Sequence, residues 1–160
     1  MKPPILRLLI LVAIGGLSVG VASAGMARTE IENAIPMSSR ELLGLVSKKG
    51  ANVQVVDVRV LADDDDDVGG YQDARVPGSL PMPGCDPDKV PEQALGRVRA
   101  DIPTVLVSRD GDAATFERCR KHFLRVRNLE GGMAAWSEAG LPEEDGPYVA
   151  PKPGAGGGCL

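Results

Sequence analysis

Valine recurs at positions 53, 55, 56 and 58, and a second apolar run, Thr104, Val105, Leu106 and Val107, follows later in the chain. Neither run shows the strict apolar–polar alternation of a strand with one wet face. Short, near-continuous β-branched segments of this kind are strands covered on both sides, which occur in parallel sheets linked by helical crossovers. The flanking segments supply the helices. Ser38, Ser39, Arg40 and Glu41 form a capping box in which Ser38 caps the helix and Glu41 reaches back. Leu42, Leu43, Leu45 and Val46 give that helix an apolar face, and Gly50 is placed to terminate it. Residues 91–100 allow a short helix with proline in its first turn. Residues 114–123 read as a helix with Phe116, Cys119 and Phe123 near one face, residues 125–129 as a third strand, and residues 132–139 as a last helix stopped by Gly140. Strands alternating with helices predict one α/β domain over residues 37–142, a central parallel sheet flanked by helices on both faces.

The two ends of the chain fall outside that pattern. Residues 1–24 have basic Lys2 and Arg7, an apolar core, and Ala22, Ser23 and Ala24 as a small-residue cleavage site. This is the design of a secretory signal peptide cut after Ala24; an uncleaved N-terminal membrane anchor is the alternative. Residues 25–36 are a lead-in segment. Residues 143–160 combine Pro147, Pro151 and Pro153 with a glycine-rich terminus and read as a flexible tail.

Cleavage takes two of the 18 basic residues and none of the 22 acidic ones, moving the formal charge from −4 to −6. An acidic chain poor in aromatic residues lacks the clustered lysine and arginine that nucleic acid requires. After cleavage no later apolar run is long enough to span a bilayer. Three cysteines, Cys85, Cys119 and Cys159, are too few for a disulfide framework, and an odd number leaves at least one thiol unpaired within the chain. With His122 as the only histidine and no paired cysteine spacing, no structural zinc site is expected. Residues 63–67 are five consecutive aspartates, which repel one another and read as a solvated loop. They do not match a calcium loop: counted from Asp64, Gly69 is in register but Arg75 stands where the last glutamate belongs. No metal and no cofactor are therefore expected.

The segment with the most chemistry begins where the second run ends. Ser108, Arg109, Asp110, Gly111, Asp112 and Ala113 connect a strand to a helix, the place where α/β proteins hold anions and nucleophiles. Gly111 supplies the freedom a tight turn needs. A serine hydroxyl is a poor nucleophile without a base, and His122 lies beyond the first turn of the next helix, so a serine hydrolase is not expected. Like charges about 4 Å apart repel by about 4 kcal/mol at an effective dielectric of 20, so Asp110 and Asp112 are expected to oppose an anion here.

Several segments in order resemble the rhodanese family: Val55-Val56-Asp57-Val58-Arg59; then Arg75-Val76-Pro77-Gly78-Ser79-Leu80; the Ser108 loop; and Asn128-Leu129-Glu130-Gly131-Gly132 through Trp136, with Gly140-Leu141-Pro142. The resemblance implies a small α/β fold in which the loop cysteine of active members accepts sulfane sulfur and passes it on. Here Ser108 occupies the cysteine position, Arg109 and Gly111 are retained, and Ala113 replaces a second arginine. Arg75 begins a turn that histidine usually begins. Asp57, Arg59 and Arg75 are expected as framework around the loop. The implied function is a binding or regulatory module in sulfur-related metabolism, without thiosulfate sulfurtransferase activity. Its partner is an unidentified protein, a small anion or a sulfur compound. The alternative is a sulfur carrier using Cys159, whose glycine tether resembles the arm of thiosulfate-oxidation carriers, or, less favoured, Cys85 in a loop expected to be exposed. Cys119, Trp136 and His122 are expected to be structural.

Overall fold

In a computed structural model, residues 35–62 and 68–151 are described. The signal segment, the aspartate run and Cys159 lie outside the described residues. Helix α1 (Ser39–Val46) is followed by strand β1 (Gln54–Asp57), strand β2 (Leu80–Pro81), strand β3 (Thr104–Val107), helix α2 (Ala113–Arg120), strand β4 (Val126–Asn128) and helix α3 (Gly132–Glu138). The strands are parallel in the order β2-β1-β3-β4. Beyond β4, Met37 forms a parallel bridge with Leu129, its N–H donating to the Asn128 carbonyl at 2.7 Å.

All four residues of β1 and of β3 are buried, as their composition requires. Successive side chains point to opposite faces, so the two runs feed two cores. Val55, Val105 and Val107 pack with Leu42 of α1 and with Met133 and Trp136 of α3. Val56, Val58 and Leu106 pack on the other side with Cys119 and Phe123. The sheet is thus sandwiched between α1 and α3 on one face and α2 on the other, the predicted class of fold.

Several local expectations change. The Ser38 hydroxyl accepts from the Glu41 N–H at 3.3 Å, but the Glu41 carboxylate turns away to Arg127 at 2.6 Å, so only half of the capping box forms. Helix α1 ends at Val46 rather than at Gly50, which has φ +76° in the following turn. Residues 91–100 hold one turn of 3-10 helix, Glu92–Ala94; the chain then leaves helical geometry at Leu95 and reverses at Gly96, φ +72°. Helix α2 stops at Arg120, so His122 and Phe123 follow it rather than lie on it. The fold's hydrogen bonds also run past the boundary drawn at Pro142. Glu144 bridges Arg75 through both backbone bonds, and the Gly146 N–H reaches the Gln72 carbonyl at 2.7 Å.

The cysteines bring the main correction. Cys85, expected in an exposed loop, is buried, and it forms a disulfide with Cys119 of α2, their Cα atoms 5.2 Å apart. Cys119 is in the core as expected, but as half of a cross-link rather than as a free thiol. The pairing was illegible because the two residues are 34 positions apart and only the crossover connection brings them together.

Candidate functional site

Register sets the site. Asp57 lies opposite both Pro81 and Val107, so β1, β2 and β3 end together at one edge of the sheet. The loops leaving those ends meet there, the usual place for a ligand crevice in a parallel α/β sheet.

Ser108 follows the last residue of β3 and is buried, 5 % exposed. Its hydroxyl accepts the Gly111 N–H at 2.9 Å, closing the loop on itself. Gly111 has φ +74°, and a β-carbon there would sit 2.6 Å from the Leu129 carbonyl oxygen and 2.8 Å from the Gly131 nitrogen. The Gly111 carbonyl accepts from the Asn128 side-chain amide at 2.6 Å. The Ser108 and Arg109 carbonyls accept from Met133 and Ala134, satisfying N–H groups in the first turn of α3. Gly132, φ +56°, lies against the same backbone, where a β-carbon would collide with the Ser108 carbonyl. The paired glycines of the C-terminal signature are therefore there to let α3 start on the loop. Gly111→Ala should cost at least about 2 kcal/mol, the left-handed penalty for a residue with a β-carbon plus the clash. Thermal unfolding checks this; an unchanged midpoint would refute the close packing.

The two added carboxylates play different parts. Asp112 is the N-cap of α2, accepting the Thr115 N–H at 2.7 Å. The Thr115 backbone N–H and hydroxyl hold its carboxyl below the ordinary value of 3.8. Asp110 is exposed and accepts the Asp112 N–H at 3.1 Å. Both carboxylates are thus engaged in the geometry of the loop.

An open cleft of about 260 Å³ lies over Ser108. Arg109, Asp112, Thr115 and Arg118 form one side, and Val58, Arg59, Val60, Gly69 and Gly84 the other. Among the described residues its charged lining is Arg59, Arg109 and Arg118 together with the carboxylate of Asp112. Asp110 and Ala113 are not among the described lining residues, and Arg118, which the sequence analysis did not single out, is. Its signal was available in the spacing of Asp112, Thr115 and Arg118, which puts them on one face of α2.

Behind the cleft, the Asp57 carboxylate is completely buried and receives Arg59 in a forked pair, Nη2 at 2.7 Å and Nε at 3.1 Å, together with the Arg59 N–H at 3.0 Å. The same guanidinium donates to the carbonyls of Gly69 at 3.0 Å and Ala74 at 2.5 Å. The pair is thus a staple between the end of β1 and the loop that returns to β2. Burial pushes the Asp57 carboxyl above 3.8, against the lowering influence of Arg59. Arg75 belongs to a neighbouring cluster. It stacks 4.7 Å over the Tyr71 ring, faces Glu144 at 3.5 Å and donates to the Gly146 carbonyl. Tyr71 is fully buried, donates to the Ser79 carbonyl at 2.7 Å, and has its hydroxyl pKa raised, mainly by burial. Arg75 is therefore framework, but it is not among the residues lining the cleft. Trp136 is core, its indole N–H bound to the Pro142 carbonyl at 2.9 Å.

A parallel α/β domain with a cleft at its strand ends, closed by a strand–loop–helix turn, is the class that fold and site define. The rhodanese-like domain model matches residues 38–139, and the chain belongs to that family. Among solved structures it resembles a full-length protein from Lactobacillus plantarum, with TM-score 0.55 and 16% identity over 78% of this chain and 99% of that one. A thiosulfate sulfurtransferase from Pseudomonas aeruginosa matches with TM-score 0.51 and 23% identity over 72% of this chain and 20% of that one. The Escherichia coli 3-mercaptopyruvate sulfotransferase matches with TM-score 0.51 and 18% identity over 72% and 53%. These likenesses establish the fold. No curated protein matches the chain in sequence.

Proposed function

We propose that this is an exported rhodanese-family domain that binds a ligand at the Ser108 cleft without turning over thiosulfate, and so serves as a binding or regulatory module. The observation that carries the reading is the hydroxyl at the nucleophile position, buried and committed to the Gly111 N–H. Alcohol oxygen does not form the persulfide on which sulfur transfer depends, and no histidine is among the residues lining the cleft to activate it. The Cys85–Cys119 disulfide supports export, because such cross-links persist in oxidising compartments. It accords with the signal design of residues 1–24.

A thiosulfate:cyanide assay tests the proposal. The wild type should run at background, and Ser108→Cys should recover little, because Ala113 leaves the loop without its second arginine. Wild-type turnover above background would overturn the reading. The carrier alternative now rests on Cys159, since Cys85 is paired in the disulfide. Intact mass after incubation with thiosulfate distinguishes it: a persulfide on Cys159 adds about 32 Da.

A further inference from the structure

We propose that the Cys85–Cys119 disulfide is a redox latch: oxidation closes the connector between β2 and β3 onto α2, and reduction by a dithiol releases it together with one wall of the Ser108 cleft. The inference goes beyond ligand binding and does not depend on what the cleft binds.

The connector is held to the domain by little besides this bond and side-chain packing. A parallel crossover is usually an α-helix, but this one carries single turns of 3-10 helix, Pro83–Cys85, Pro87–Lys89 and Glu92–Ala94. The described backbone hydrogen bonds donated by residues 85–97 reach back only three or four residues, so they tie the segment to itself. Beneath it an open cavity of about 250 Å³ lies among Met82, Val90, Leu95, Val98 and Phe123. Segments with few hydrogen bonds to the rest of a domain are those that open locally. The covalent anchor sits where the connector meets the cleft. Gly84 and Cys85 are consecutive left-handed residues, φ +65° and +64°, a conformation that a residue with a β-carbon favours leaving. Once the Cys85 sulfur is free, the return of Cys85 to ordinary backbone geometry pulls the Gly84 N–H from the Val58 carbonyl, 2.9 Å away. Gly84 and Val58 line one side of the cleft, and Arg118, which precedes Cys119, lines the other. In the reduction, a thiolate of the dithiol attacks the Cys85 sulfur, and Cys119 leaves as a thiolate that takes up a proton. The second thiol of the reductant then displaces Cys85. Two electrons and two protons pass to the protein, and the reductant ends as its own disulfide.

Amide hydrogen exchange of the full chain, oxidised and then reduced with dithiothreitol in the absence of denaturant, tests this. After brief labelling, the amides of residues 84–98 should exchange at least about tenfold faster in the reduced protein, while those of residues 54–57 and 104–107 stay protected. Cys85→Ala/Cys119→Ala should match the reduced wild type with or without dithiothreitol. Reoxidation of the wild type by glutathione disulfide should restore the slow rate. Cys159→Ser should open and close as the wild type does, which separates the latch from the tail thiol. The proposal is overturned by a disulfide that dithiothreitol leaves intact until urea is added, or by equal exchange of residues 84–98 in both redox states. It is equally overturned if β1 and β3 lose protection at the same labelling time, since the bond would then staple the whole domain.

Discussion

Replacing Cys85 and Cys119 together by alanine should lower the stability of the domain by about 4 kcal/mol, the chain-entropy value for a cross-link whose ends are 34 residues apart. The cross-link restricts the unfolded chain, and its loop spans the turns between β2 and β3, all of β3 and most of α2. It also ties two walls of the cleft, because Cys85 follows Gly84 and Cys119 follows Arg118. Cys85 has φ +64° and is the described non-glycine residue with a left-handed backbone, a conformation that costs about 1–2 kcal/mol. It is held there by the disulfide, by the Cys85 N–H to the Met82 carbonyl at 3.0 Å, and by the Gly84 N–H to the Val58 carbonyl at 2.9 Å. Urea unfolding of the wild type with and without dithiothreitol separates cross-link from packing. If the constraint is the cause, reduction alone should produce most of the loss. Equal midpoints for oxidised and reduced protein would remove the disulfide from the account of stability.

Arg59→Leu should cost about 3–5 kcal/mol, the range found when one partner of a buried ion pair is removed. The change strands the Asp57 carboxylate and also leaves the Gly69 and Ala74 carbonyls without their guanidinium donors. The pH dependence carries a definite sign. Burial raises the folded-state pKa of Asp57 above 3.8, so the folded state holds this proton more tightly than the unfolded chain. The contribution of that group is fully present below the unfolded value and is lost as pH rises through the folded one. Without Arg59 the lowering influence disappears, and the loss should extend to higher pH. Unfolding midpoints of Arg59→Leu should therefore fall more steeply with rising pH than those of wild type. In Asp57→Asn/Arg59→Leu that excess slope should vanish. Parallel pH profiles for Arg59→Leu and wild type would rule out the buried charge as the cause.

The class of fold was legible because burial on both faces leaves a mark on composition. The valine runs at 53–58 and 104–107 could serve only as covered parallel strands, and their neighbours carried helical periodicity. The Ser108 loop was legible for a related reason: a strand that ends in a glycine-containing turn before a helix is a local pattern, and the flanking segments resembling the rhodanese family occur in order. The same local logic failed at residues 91–100, where propensity favoured a helix and the turn at Gly96 prevailed.

Sequence by itself determined the parallel α/β architecture, the family resemblance and the serine at the nucleophile position, since each is written in neighbouring residues. Tertiary structure alone decided that Cys85 pairs with Cys119, that Asp112 is spent as a helix cap, and that Arg118 rather than Asp110 borders the cleft. These depend on which loops the strand register brings to one edge of the sheet. Through-space charge and cross-linking follow distances in the folded chain, and sequence separation does not encode them.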